Sequence, residues 1–134
     1  MTDETRQRGL DMMRQVYGWD ELADGPGDFF GYTADHLFAE IWTREGLSFR
    51  DRRLLLLGLL VGQGLDDVLE IQLGATLLRD ELTPDELREI VIFLTHYAGW
   101  PKGAKLNTQV ETGIARDAKR RARAESDGDA DPST

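Results

Sequence analysis

A chain of 134 residues is long enough for one domain with a substantial buried core. Its formal net charge of -9 argues against general nucleic-acid binding and against docking on an anionic membrane, since both draw on surplus Lys and Arg. The absence of cysteine removes disulfides, thiol redox chemistry and cysteine metal sites, and is in keeping with a cytosolic protein.

Hydrophobic spacing predicts helices throughout and no strand. The residues from Met1 to Gln7 are polar and charged, so no signal peptide is expected there. The first helix runs from Asp3 to Tyr17, with Leu10, Met13 and Val16 or Tyr17 at helical spacing and Gly18 as its end. Residues 20–27 read as a loop broken by Gly25-Pro26-Gly27. A second helix starts at Asp28 or Thr33 and reaches Trp42, with Leu37, Phe38, Ile41 and Trp42 facing inward and Gly46 as the break. Ser48 caps a third helix, with Asp51 at the capping-box position. Leu54 to Leu60 is apolar on every side, which places this helix centrally or under a second subunit. The longer apolar run to Val61 is still far too short to cross a bilayer. Gly62 and Gly64 end the helix.

Asp66 or Asp67 starts a fourth helix that ends near Leu78. The fifth is the most legible. Thr83 and Glu86 form a capping box, Pro84 takes the first helical position, and Leu87, Ile90, Val91 and Leu94 form one apolar stripe. Gly99 closes it in a positive-φ conformation and Pro101 forbids continuation. A sixth helix, Lys102 to about Ala122, carries Leu106, Val110 and Ile114 on one face. The domain is thus drawn as residues 1–124, with an acidic tail, residues 125–134, expected to be disordered for want of large apolar residues.

Several residues carry candidate chemistry. His96, on the last turn of the fifth helix beside Tyr97 and the Gly99-Trp100-Pro101 turn, is a candidate general acid or base. The plainer alternative is a histidine that binds helix-end carbonyls. Arg44, Arg50, Arg52 and Arg53 crowd a short stretch and could hold carboxylates through their planar forks. Singly, each is better explained by surface pairing with Glu40, Glu45 or Asp51; that explanation is weaker for the group as a whole. Gln72 is a polar residue on a largely apolar stripe with Val68, Leu69 and Thr76, so it needs a partner or a purpose. Glu70 is read as facing solvent or a partner subunit. The basic stretch Arg116, Lys119, Arg120, Arg121 and Arg123 suits a solvated helix C-terminus. Phosphate-loop, serine-nucleophile and clustered metal-ligand motifs are absent, and His36 and His96 are far apart in sequence.

Five segments in order resemble the carboxymuconolactone decarboxylase family, within the alkylhydroperoxidase D-like superfamily. They are Ala39-Glu40-Ile41-Trp42-Thr43-Arg44, Gly46-Leu47-Ser48-Phe49-Arg50-Asp51-Arg52, the apolar helix, Leu82-Thr83-Pro84-Asp85-Glu86-Leu87, and Tyr97-Ala98-Gly99-Trp100-Pro101. The resemblance runs from about Phe30 to about Val110. It implies an all-α bundle of about six helices and assembly into homo-oligomeric rings, commonly trimers or hexamers. The peroxidase branch of the family uses a Cys-x-x-Cys pair, which this chain lacks. The decarboxylase branch removes carbon dioxide from a carboxylated muconolactone in aromatic-acid catabolism, with no metal or organic cofactor. Its members usually carry Glu-Leu-x-Leu-His on the fourth helix. Aligned from Trp42, the Glu and His positions hold Val68 and Gln72; aligned back from Thr83, they hold Leu69 and Leu73. A glutamine orients a substrate but does not donate a proton as imidazolium does. The expectation is therefore a lyase on a small carboxylated lactone or organic acid. Arg44, Arg50 and Arg52 would hold carboxylates, Trp42 and Tyr97 would wall the pocket, Gln72 would orient the substrate and His96 would move the proton. The alternatives are a non-catalytic ligand-binding oligomer and a different non-redox enzyme on the same scaffold.

Overall fold

The computed structural model describes residues 3–129. They form α1 (Asp3–Tyr17), α2 (Asp28–Gly31), a π-helical segment (Tyr32–Ile41), α3 (Phe49–Gln63), α4 (Asp66–Leu78), α5 (Pro84–Ala98) and α6 (Trp100–Asp129). Among the described residues there is no strand, so the all-α expectation is met. Among the described residues no helix is long and apolar enough to cross a membrane.

Local chemistry sets most boundaries. Ser48 accepts the Asp51 N–H at 3.0 Å and starts α3, and Gly64 ends it with φ 70°. Thr83 and Glu86 form the reciprocal capping box of α5. Gly99 follows with φ 102° and ψ 155°, a region open in practice only to glycine. The chain then re-enters a helix at once, because Pro101 sits in the first turn of α6, where its missing N–H costs nothing.

Two apolar clusters hold the helices together. The larger joins α3, α4, α5 and α6 through Leu57, Leu60, Leu69, Leu73, Leu87, Val91, Leu106 and Val110. The smaller packs Leu10, Met13 and Val16 of α1 on Ala34 and Phe38 of the π segment. There the backbones touch: a Cβ on Gly9 would lie 1.9 Å from the Ala34 carbonyl oxygen. Beside this contact Arg6 donates to both oxygens of the buried Asp35, at 2.8 and 2.9 Å, and to Asp24 at 2.7 Å.

Three sequence expectations change. The second helix is π-wound, with the Trp42 N–H reaching Leu37 O, five residues back, at 3.0 Å. That winding buries Ala34, Asp35, Phe38 and Ala39 and turns Leu37 and Ile41 outward, whereas α-helical spacing had all the large residues inward. Helix α3 is not buried all round within one chain: Leu55 and Leu59 are 64% and 53% exposed. Helix α6 continues past Ala122 to Asp129, so residues 125–129 are helical rather than disordered. The rest of the tail lies outside the described residues.

Candidate functional site

The arginine group at the start of α3 divides in two. Arg53 is fully buried and ties four segments together. It donates to Val16 O at the end of α1 (2.6 Å), to Gln72 Oε1 on α4, and to both carboxylate oxygens of Glu81 in the α4–α5 loop (2.9 and 3.2 Å). Phe49 covers the guanidinium at 5.3 Å, and Arg79 lies against the same ring at 5.1 Å. The Val16 carbonyl is one of the acceptors that a helix end leaves unpaired. Gln72 is therefore a buried polar group with a charged partner. Its carbonyl oxygen faces Arg53 in the interior, and the residue is buried.

Arg50 is half-exposed and spends its donors on Glu81 O at 3.1 Å and on the Glu86 carboxylate. Glu86 sits below the usual carboxylate range, first because the Thr83 N–H donates to it and then through the charge of Arg50. Arg52 donates to Leu47 O at 2.6 Å. Trp42 stacks on Phe38 (6.2 Å) and tilts against Phe49 (5.3 Å), walling the smaller core. Arg44 follows it into the loop and is exposed, with no side-chain hydrogen bond or ion pair to any described residue.

His96 lies elsewhere. Its partner end of α5 is the far one: Glu86, which Arg50 grips, and His96 occupy the first and last turns, about 15 Å apart along the axis at the standard helical rise. The Nδ1–H of His96 donates to Ile92 O at 2.7 Å, which leaves Nε2 as the free nitrogen. The ring meets Trp100 edge-on, with centroids 6.0 Å apart. Both line a groove of about 360 Å³ between α5 and α6, with Val91, Ile92, Thr95, Gly103, Ala104 and Asn107. Gly103 makes the close approach possible, since a Cβ there would lie 2.1 Å from Thr95 Oγ1. Tyr97, 82% exposed, stands outside the groove against Phe93 at 5.2 Å. Chemically the groove offers one imidazole nitrogen, an amide, a hydroxyl and aromatic walls. Apart from His96 it contains no cationic side chain.

Of the sequence candidates, then, Gln72 joins the buried arginine network, Arg50 and Arg52 lie at the start of α3, Trp42 and Arg44 end the π segment, and His96 and Tyr97 stand apart on α5. Sequence reasoning named Arg53 in a group but missed that it is the buried hub, and missed Glu81 altogether. It also missed Thr95, Trp100, Gly103 and Asn107 as groove walls; the repeated small residues Gly103 and Ala104 were the available signal. Glu70 pairs with Arg116 at 3.0 Å on the surface, as its plainer reading held. His36 pairs with Glu40 at 3.1 Å and does not meet His96; no group of three metal-ligating side chains forms among the described residues.

A wider groove, about 650 Å³ between α4 and α6, contains Glu70, Arg116 and Arg120 but none of Trp42, Arg44, Arg50, Arg52, Gln72, His96 and Tyr97. Its cations are already matched: Lys105 with Asp66, Arg116 with Glu70 and Arg120 with Asp117, at 2.8 to 3.0 Å.

Comparison with known proteins places this architecture. The model of the carboxymuconolactone decarboxylase family matches residues 27–108, from just before α2 to the first turns of α6. The chain is also 31% identical, over 109 residues, to a 4-carboxymuconolactone decarboxylase of Acinetobacter baylyi, a match covering 75% of this chain and 81% of that protein. With its all-helical fold and both of these matches, the chain belongs to the carboxymuconolactone decarboxylase family.

Proposed function

We propose that this protein is a decarboxylase-type lyase acting on a small carboxylated lactone or organic acid, with His96 as the proton donor. The observation that carries the reading is the His96 imidazole, held by Ile92 O through Nδ1 and presenting Nε2 at an aromatic-walled groove. The similarity to a 4-carboxymuconolactone decarboxylase supports the reaction class. Loss of carbon dioxide leaves an electron pair on carbon, and a proton delivered there completes the step. Protonated at Nε2 as the imidazolium, His96 supplies that proton; Trp100 walls the substrate; Arg44, whose charge no described side chain of its own chain matches, holds a carboxylate. Arg50 and Arg52 shape the start of α3, Trp42 sets the course of the Arg44 loop, and Gln72 positions the core through Arg53. The protein works as a homo-oligomeric ring, trimer or hexamer, in the cytoplasm, in the breakdown of aromatic compounds.

A second reading, a ligand-binding oligomer without catalysis, is favoured by one observation. The position that holds histidine in decarboxylase members is sealed in the core in either alignment register, at Gln72 (2% exposed) or Leu73 (3%). Purified protein mixed with 4-carboxymuconolactone separates the two. Release of carbon dioxide and appearance of the enol-lactone, both reduced at least about a hundredfold by His96→Ala, are expected for a general acid. Unchanged turnover in that variant would remove His96 from the mechanism. Binding of the lactone without turnover would establish the second reading.

A further inference from the structure

Two features of the surface bear on the missing cation. The C-terminal end of α5 and the first residue of α6 expose Ile92, Phe93, Tyr97 and Trp100 (57%, 63%, 82% and 71%) around His96. Side chains of this size at these exposures present roughly 500 to 600 Å² of largely apolar surface, at the upper limit of what one patch on a monomer shows. The outward residues Leu55 and Leu59 of α3 lie on the next helix of the same core. A stable protein interface takes about 800 Å² from each partner, so this patch supplies a large share of what one partner presents.

The other feature is a second, separate apolar patch. The π segment and the loop after it expose Leu37, Ile41 and Leu47, and Arg44 stands among them. Charge matches across the two patches. Glu89, one turn before Phe93 on α5, is exposed and has no partner among the described residues, and neither has Arg44. Two different patches on one chain that suit each other meet head to tail, and such contacts build rings where the rotation between copies closes. Within one chain no contact brings Arg44 to His96: it follows the π segment, which packs on α1 in the smaller core, and it is not among the residues that line the groove between α5 and α6.

We propose that the His96 groove is completed by a neighbouring copy of this chain, whose Arg44 enters at its rim and supplies the cation that holds a substrate carboxylate. This rests on the reading of His96 given above. Glu89 draws the arginine to the α5 face, and the apolar residues on both sides seal the contact. Each chain then gives its imidazole to one site and its guanidinium to the next.

The chain has no cysteine, so single cysteines report contacts cleanly. Differently tagged chains carrying Arg44→Cys and Asn107→Cys are mixed, reassembled and treated with a short bismaleimide. The expected result is a cross-linked heterodimer in the mixture and none from either variant alone. No cross-link in an assembly that light scattering shows to be oligomeric overturns the proposal, as does a monomeric protein, or cross-linking of Asn107→Cys with itself. A second pair of variants guards against poor reassembly. Glu89→Arg weakens self-association at least tenfold, and adding Arg44→Glu in the same chain restores it; failure of that rescue also counts against the contact. The cross-link reads proximity, not turnover. A positive cross-link with unchanged turnover in His96→Ala therefore sinks the lyase reading alone, and the reverse pair of results sinks only this inference.

Discussion

Removing the guanidinium of Arg53 tests the central structural argument. In Arg53→Met the aliphatic stem is kept and four hydrogen bonds go, to Val16 O, Gln72 Oε1 and the two oxygens of Glu81. The Glu81 carboxylate, 9% exposed, then keeps only the 3.3 Å contact from Arg79. Breaking a buried pair by deleting one partner costs about 3–5 kcal/mol, because the other charge stays buried. At roughly 3–5 °C per kcal/mol for a chain of this size, the melting temperature falls by roughly 9–25 °C. Far-UV circular dichroism at a fixed chain concentration measures it, since assembly makes melting concentration-dependent. Replacing the whole group, as Arg53→Met with Gln72→Leu and Glu81→Leu, leaves no orphaned charge and recovers most of the loss. A single variant that melts within about 2 °C of the parent would show that the arginine fork does not hold α1, α3, α4 and the α4–α5 loop together.

Other substitutions have signs that follow from local space. Gly9→Ala forces a methyl to 1.9 Å from Ala34 O and destabilises by at least about 1–3 kcal/mol, read by urea denaturation. Gly74→Ala on α4 meets nothing within 4 Å and stabilises by about 0.5–1 kcal/mol in the same assay; equal effects would mean α1 is not seated on the π segment. Thr83→Ala removes the α5 cap and costs about 1 kcal/mol by the same measure, while Thr83→Ser keeps it. Arg6 hydrogen bonds hold the Asp35 carboxyl below its ordinary value of 3.8. Its stabilising effect is complete above that value and is lost as pH falls through the lower folded value. Acid titration followed by hydrogen exchange of α1 should show that helix loosening below pH 3.8, and Asp35→Asn should abolish that limb; identical acid profiles would remove the pair from the account.

Much of the fold was legible because its boundaries are local. Ser48, Thr83, Pro84, Gly18 and Gly64 act on the backbone within a turn, so the bounds of α1, α3, α4 and α5 follow from residues a few positions away. The π segment was not, because Leu37, Phe38, Ile41 and Trp42 suit α-helical spacing equally well. What selects the wider winding lies on α1, in the glycine that lets the backbones touch and the arginine that pulls Asp35 inward. The length of α6 was hidden for a different reason. After Ile114 it has no apolar stripe, but Asp117 pairs with Arg120 and Arg121 at 2.8 and 2.7 Å one turn on. Arg121 also reaches Leu77 O and Asp80, fastening α6 to the end of α4.

The site resisted for a reason that composition cannot show. Gln72 announced itself as a polar residue among apolar ones, but its partner Arg53 is 19 residues away and Glu81 is 28 from that arginine. Such pairings exist only once the helices pack. The consequence runs against treating Gln72 as a weakened copy of a catalytic histidine. Its oxygen serves a buried cation, and returning a histidine there would set imidazole beside that cation rather than in a groove. Gln72→His should thus lose stability without gaining turnover, the first read by melting and the second by carbon dioxide release. A Gln72→His variant that decarboxylates 4-carboxymuconolactone faster than the parent would show that the interior around Arg53 opens to substrate, and would move the reacting groups from α5 to α4.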